Sequence, residues 1–211
     1  DGEHLYAYFG SQGLYCLDFA GNLKWKKDLG DMTTRNSFGE GSSPAIQGSV
    51  MVVNWDHERD SFIVALDTRS GEELWRRSRN EPSSWSTPLI VEFAGKHQVI
   101  VSASNKTRSY DLETGLVVWE CAGLGTNVIP TPLYRNGVVY VASGHRSPAM
   151  QAIRLDGAKG DISGTDAVLW SIDGSPTKQI CQNPLKIMLA ARRLYKEWTA
   201  GKARFTSLSS P

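Results

Sequence analysis

The sequence predicts an all-β repeat protein: about four four-stranded antiparallel sheets in series over residues 1–174, stacked face against face. Three observations predict it. A pattern of Asp, Gly and Trp recurs at intervals of 44 to 51 residues. A Ser/Thr-Pro step recurs every 44 residues. Between these markers lie short runs rich in Val, Ile, Tyr and Trp, separated by tight-turn residues, as strands and hairpins require.

The Trp marker comes first. Leu17-Asp18 is followed by Gly21 and Trp25, Leu66-Asp67 by Gly71 and Trp75, and Tyr110-Asp111 by Gly115 and Trp119. In each unit Gly stands four residues before Trp. A fourth copy is degraded: Leu155-Asp156-Gly157, an insertion, then Val168-Leu169-Trp170. Ser43-Pro44, Thr87-Pro88 and Thr131-Pro132 each precede a short apolar run. Proline suits a strand start, where its missing amide breaks no ladder.

The third unit shows the strands expected of one repeat. Leu89 to Phe93 reads as a strand, Ala94-Gly95-Lys96 as a turn, and Gln98 to Ala103 as a second strand. Thr107 to Leu112 and Leu116 to Glu120 complete an antiparallel meander around the Glu113-Thr114-Gly115 turn. In the next unit Asn136-Gly137 predicts a type I′ hairpin. Gly21, Gly71 and Gly115 are expected at positive φ, with Asp18, Asp67 and Asp111 accepting amides of the same turns. A Trp fixed on each last strand is placed to pack on the next unit. A sheet of about 44 residues cannot bury both faces alone, so the units stack as the blades of a β-propeller do.

Composition bounds the rest. The 211 residues carry 23 Lys+Arg, 22 Asp+Glu, 40% hydrophobic residues and 21% charged ones. No apolar run approaches the ~18–20 residues of a membrane span. Residues 1–174 hold 16 Lys+Arg against 21 Asp+Glu, a balance of −5; residues 175–211 hold 7 against 1, a balance of +6. The acidic part argues against nucleic acid as a partner, because phosphate binding needs clustered cations. Cys16, Cys121 and Cys181 are far apart and predict buried thiols rather than a disulfide framework. Asp1-Gly2-Glu3-His4 is polar and runs straight into a strand-like segment, so no signal peptide is read there.

The segments Ala65-Leu66-Asp67-Thr68…Gly71…Leu74-Trp75 and Tyr110-Asp111…Thr114-Gly115…Val118-Trp119 resemble the Ala-x-Asp-x-x-Thr-Gly-x-x-x-Trp motif of PQQ-like (pyrroloquinoline-quinone-type) propeller repeats. That group includes quinoprotein dehydrogenases and the propeller lipoprotein of the bacterial outer-membrane assembly machine. The resemblance covers residues 1–174. It implies that Trp25, Trp75, Trp119 and, more weakly, Trp170 dock one blade onto the next. It also implies a secreted bacterial protein, periplasmic or extracellular. Family rings commonly have seven or eight blades; this chain carries about four, and its first repeat lacks the Ser/Thr-Pro element.

Residues 175–211 break the pattern. Asn183-Pro184 could start a helix carrying Ile187, Met188, Ala191, Leu194, Tyr195 and Trp198 on one side. Lys186, Arg192, Arg193 and Lys196 lie on the other. Three readings stand: a membrane-surface or partner-binding helix, a helix covering the last blade, or a frame-shifted segment in place of the next blade.

Residues for chemistry are sparse. His4, His57, His97 and His145 show no metal-ligand spacing. Asp56-His57-Glu58-Arg59-Asp60 reads as a solvated turn in an insertion, without the alternating ligands of a calcium loop. Ser42-Ser43 and Ser83-Ser84 lack a nucleophile elbow, and Gly10 to Gly13 and Gly39 to Gly41 lack a phosphate fingerprint. The expectation is a non-catalytic binding or scaffolding module without cofactor, with a protein or peptide partner and with self-association through open blade faces. The alternative is a fragment of a quinoprotein dehydrogenase, which would bring PQQ and calcium. The resemblance then asks for adjacent cysteines and a carboxylate set, and no two cysteines here are adjacent.

Overall fold

A computed structural model describes residues 1–144 and 147–173. The sequence-derived readings for 175–211, the helix included, lie outside these residues, as does His145. The regular structure of the described chain is strand apart from two short 3-10 turns, and it forms a partial β-propeller of four sheets. Sheet one has three strands, β1 (His4–Tyr8), β2 (Leu14–Asp18) and β3 (Leu23–Lys27). Sheet two runs through β4 (Ala45–Gln47), β5 (Val50–Trp55), β6 (Phe62–Asp67) and β7 (Glu73–Ser78). Sheet three holds β8 (Leu89–Phe93), β9 (Lys96–Val101), β10 (Thr107–Asp111) and β11 (Val117–Cys121). Sheet four holds β12 (Leu133–Arg135), β13 (Val138–Ser143), β14 (Ala149–Arg154) and β16 (Val168–Asp173).

Within each sheet the strands pair antiparallel in chain order. The addition the sequence does not predict is β15 (Gly160–Asp161), in the insertion of the fourth unit. It leaves its own sheet and pairs parallel with β11, Trp119 opposite Gly160. The proline steps end where expected, since Ala45, Leu89 and Leu133 open β4, β8 and β12. Asn136 and Gly137 have φ of 49° and 76°, the positive pair a type I′ hairpin needs.

The last hairpin of every sheet carries a bulge at one position. Register slips between Cys16 and Leu17, Ala65 and Leu66, Ser109 and Tyr110, and Ala152 and Ile153. The residue left over is the one before each Trp: Lys24, Leu74, Val118 and Leu169. A bulge bends its strand and re-aims the neighbouring side chain. It also explains the exposure of Leu74 and Leu169, apolar residues at positions outside the ladder.

Three apolar cores lie between the four sheets. Leu14, Tyr6 and Trp25 meet Met51, Val53, Val64 and Leu66 between sheets one and two. Val52, Ile63, Ala65 and Trp75 meet Val99, Val101, Tyr110 and Leu112 between two and three. Val91, Ile100 and Trp119 meet Val139, Val141, Ile153 and Leu155 between three and four. The inner strands of sheets two and three, β5, β6 and β9, thus bury side chains on both faces, which is why they read as near-continuous apolar runs rather than alternations.

Candidate functional site

The repeat residues are brought together as turns and as contacts between neighbouring sheets. Asp67 Oδ1 accepts the amides of Arg69 at 3.0 Å and Ser70 at 2.9 Å, Asp111 Oδ1 that of Thr114 at 2.9 Å, and Asp18 Oδ1 those of Ala20 at 3.0 Å and Asn22 at 2.8 Å. Gly71 and Gly115 adopt φ of 70° and 68°, and each donates its amide back to the Asp carbonyl at 2.8 Å. The chain turns there with a bare Cα facing the preceding sheet. The Trp25 indole lies on Gly71, and the Trp75 indole on Gly115. A Cβ on either glycine would stand 2.8 and 2.6 Å from a ring carbon, inside van der Waals contact. Trp25 Nε1 donates to the Thr68 carbonyl at 3.0 Å and Trp75 Nε1 to the Leu112 carbonyl at 2.9 Å. Both acceptors directly follow the turn Asp.

Trp119 differs. It is fully buried between sheets three and four, but its Nε1 donates at 3.2 Å to Gln98 of its own sheet. The insertion explains the change: Ala158 and Ile162 beside β15 pack into the Trp119 cluster, and Gly157 has open space at its Cβ position. Trp170 sits in β16 at 40% exposure against the Tyr140 ring. The turn of sheet one, Asp18 to Gly21, has no indole on it.

These turns make stability acid-sensitive. Hydrogen bonds from the Asn22 amide group and Lys24 hold Asp18 far below the usual carboxylate range, and the Ser70 amide lowers Asp67. Burial pushes Asp111 up, but the Thr114 hydroxyl and amide outweigh it and the net shift is down. A carboxyl depressed in the folded state contributes stability that is full above its unfolded pKa, near 3.9 for Asp. That contribution is lost as pH falls through the folded value. Thermal unfolding midpoints should therefore hold level above about pH 5 and drop steadily below about pH 4. A profile flat down to pH 2 would show that the turn carboxylates contribute nothing.

The Ser/Thr-Pro steps also meet. Ser42 Oγ donates to the Ser86 carbonyl at 3.2 Å, and Ser86 Oγ to the Pro130 carbonyl at 3.1 Å. Each bond spans 44 residues, one repeat period. The sequence signal was available, a Ser two residues before each of the first two prolines, but spacing alone does not say that two chain segments touch.

The loops after β5 and β7 form the second polar locus. The structure corrects the reading of Asp56 to Asp60 as a solvated turn in its first half: Asp56 and His57 are buried, while Glu58, Arg59 and Asp60 are exposed. Arg79 Nε meets Asp56 Oδ1 at 2.7 Å and Arg79 Nη2 meets Oδ2 at 3.0 Å, with both side chains fully shielded from solvent. Ser84 Oγ donates to Asp56 at 2.7 Å, and Arg79 Nη1 to the Tyr110 hydroxyl of sheet three. Burial works against the Arg79 charge, and the Asp56 carboxylate overcomes it, raising the Arg79 pKa. Glu81, also buried, accepts the amides of Asn105 at 2.7 Å and Lys106 at 3.1 Å and pairs with Arg108.

An open groove of about 280 Å³ beside this locus is lined by Arg77, Arg79, Arg108, Gly115, Leu116 and Val117. Its guanidinium groups are engaged: Arg77 with the carbonyls of Arg76 and Thr114, Arg79 with Asp56, and Arg108 with Glu81 and Glu120. Cys16 and Cys121 are buried in β2 and β11, in different sheets, and burial raises both thiols. Among the described residues no three His, Cys, Asp or Glu gather in a metal-binding group. None of their helices is long and apolar enough to cross a membrane.

Comparison with known proteins places this architecture. A family model described as "Outer membrane protein assembly factor BamB" matches residues 1–120 and again residues 59–208. BamB of Moranella endobia is 27% identical over 165 residues, covering 72% of this chain and 40% of its own length. The crystal structure of BamB from Moraxella catarrhalis superposes with a TM-score of 0.57 at 20% identity, covering 82% of this chain and 46% of that one. A europium-containing methanol dehydrogenase superposes at 0.58 and 16% identity, covering 81% and 40%. The chain thus spans less than half the length of these relatives. It belongs to the BamB family of PQQ-like repeat β-propellers.

Proposed function

We propose that this chain is a non-catalytic binding module that carries a protein partner in outer-membrane assembly, on the periplasmic side. The observation that supports it most is the commitment of the charges on the connecting loops. Asp56 and Glu81 are each closed by an arginine and by hydroxyl or amide donors. A metal would have to displace the buried Arg79 guanidinium to reach Asp56, and the partly buried one of Arg108 to reach Glu81. The quinone site of the dehydrogenases, as the resemblance describes it, needs adjacent cysteines; Cys16 and Cys121 belong to different sheets. Among the described residues none supplies that pair or a metal-binding group, so they do not fit that cofactor.

The second reading, a portion of a quinone-dependent dehydrogenase, draws on the likeness to the europium-containing enzyme. Two titrations separate the readings. Purified outer-membrane assembly components should form a saturable complex with the chain. PQQ added with calcium or a lanthanide should give no stoichiometric, redox-active species. Redox-active binding of the quinone overturns the binding-module reading.

A further inference from the structure

We propose that the groove between sheets two and three takes an extended segment of the protein partner, one that presents a carboxylate to Arg77 and an apolar side chain to Leu116 and Val117. The inference rests on the binding-module reading and names the chemistry by which the partner is held.

The repeat supplies the comparison. Three positions correspond from seam to seam. Two of them stand two and four residues after the Trp of one sheet. The third, in the next sheet, stands one residue before the partner of that sheet's own Trp. Between sheets one and two they are Lys27, Leu29 and Val64, and the last two share one apolar cluster. Between three and four they are Cys121, Gly123 and Gln151. Cys121 Sγ lies 3.7 Å from Gln151 Oε1, both residues are buried, and a Cβ on Gly123 would run into Gln151 Nε2. Both seams are closed there. Between two and three the residues are Arg77, Arg79 and Arg108, and the seam opens into the groove of about 280 Å³. Three guanidinium groups cannot close on one another as apolar side chains do, because each must keep water or a polar partner.

Arg77 is the unmatched charge. Arg79 pairs with Asp56, Arg108 with Glu81 and Glu120, and the adjacent Arg76 with Glu73. Arg77 donates only to carbonyls, from Nη1 to that of Arg76 at 2.8 Å and from Nη2 to that of Thr114 in sheet three. Among the described residues it pairs with no carboxylate, and residues 175–211 hold 7 Lys+Arg against 1 Asp+Glu. The two carbonyls fix the guanidinium across the seam. A fixed planar fork with donors to spare is the geometry that receives a carboxylate.

Beside it Leu116 is 61% and Val117 50% exposed, and both line the same groove. A cation next to open apolar side chains complements an acidic residue next to an apolar one. The chain makes such a match one sheet on. β15 lies along the open edge of β11 and brings Asp161 to Lys106 at 2.9 Å, while Ile162 enters the apolar cluster of sheets three and four. An extended segment, acidic and then apolar, is thus a kind of chain that the wall of a sheet here holds.

Nuclear magnetic resonance titration of the full 211-residue chain tests the site. The probe is an acetylated, amidated tetrapeptide of threonine, aspartate, isoleucine and threonine. The Arg77 side-chain Nε–H and the Leu116 and Val117 amides should shift saturably. The peptide with asparagine in place of aspartate should bind about tenfold more weakly, the worth of a charged hydrogen bond. Arg77→Gln should show the same loss at an unchanged thermal midpoint, because glutamine keeps an N–H donor for the Thr114 carbonyl. Leu116→Ser should also weaken binding, and Lys27→Gln, at the matching place between sheets one and two, should not. No saturable shift, equal binding of the two peptides, undiminished binding to Arg77→Gln, or an equal loss in Lys27→Gln overturns the proposal. Purified outer-membrane assembly components separate it from the reading it rests on. If they bind the parent chain and bind Arg77→Gln about tenfold more weakly, both stand. If they bind the two equally, the groove fails alone. If they bind neither, the assembly reading fails, and the peptide titration still decides the groove.

Discussion

Truncating Trp75 to alanine is expected to lower stability by about 3–5 kcal/mol, the range for deleting a buried large aromatic. The indole is nearly inaccessible to solvent, packs with Val52, Ile63, Val99 and Tyr110, and donates to the Leu112 carbonyl of the next sheet. Removing it leaves a cavity between two sheets and withdraws the donor from that carbonyl. Urea unfolding monitored by circular dichroism reads the effect as a lower midpoint. Gly115→Ala supplies the partner measurement. Its methyl would stand 2.6 Å from the indole and on a turn at φ 68°. In the Trp75→Ala background the clash disappears and only the backbone strain of an alanine at positive φ, about 1–2 kcal/mol, remains. The two losses should therefore be strongly non-additive. A midpoint that barely moves for Trp75→Ala would mean that the indole does not hold sheets two and three together.

Asp56→Ala should cost a similar amount, about 3–5 kcal/mol, for a different reason. The substitution leaves the Arg79 guanidinium buried with the Tyr110 hydroxyl but without its paired carboxylate, Glu81 acting on it only through its field. Replacing both partners, Asp56→Leu with Arg79→Met, should recover much of the loss, because an apolar pair of similar size needs no desolvation of charge. A cost below about 1 kcal/mol for Asp56→Ala is what an exposed ion pair gives, and would show that water reaches this pair in solution. The same urea titration serves, with refolding checked by dilution.

The repeat was legible because its markers serve backbone geometry. A glycine that must take positive φ, an aspartate that must accept turn amides and an indole that must lie on the next turn restrict residue choice at fixed spacing, so Trp25, Gly71, Trp75 and Gly115 stand out in one dimension. What pairs across space did not stand out. The bulge before each Trp depends on register between two strands, and nothing in Lys24, Leu74, Val118 or Leu169 as residue types announces it. Asp56 was misread because a run of five polar residues averages to solvent exposure, while its arginine partner lies 23 residues on, in another loop. The Gly157 to Ala167 insertion was visible as a longer period, yet its return to β11 was not. Two residues of parallel pairing carry no periodicity of their own.

That return has a mechanical consequence. The chain leaves sheet three after Cys121, builds most of sheet four, goes back to lie along Trp119 and Glu120, and only then lays down β16. Lys106 of sheet three holds Asp161 there at 2.9 Å, and the Ile162 amide bonds the Glu120 carbonyl. Prising these two blades apart must tear β15 from its ladder before the apolar seam opens. They will therefore melt as one cooperative block, while the seam between sheets one and two, with no such lashing, is where thermal breathing starts.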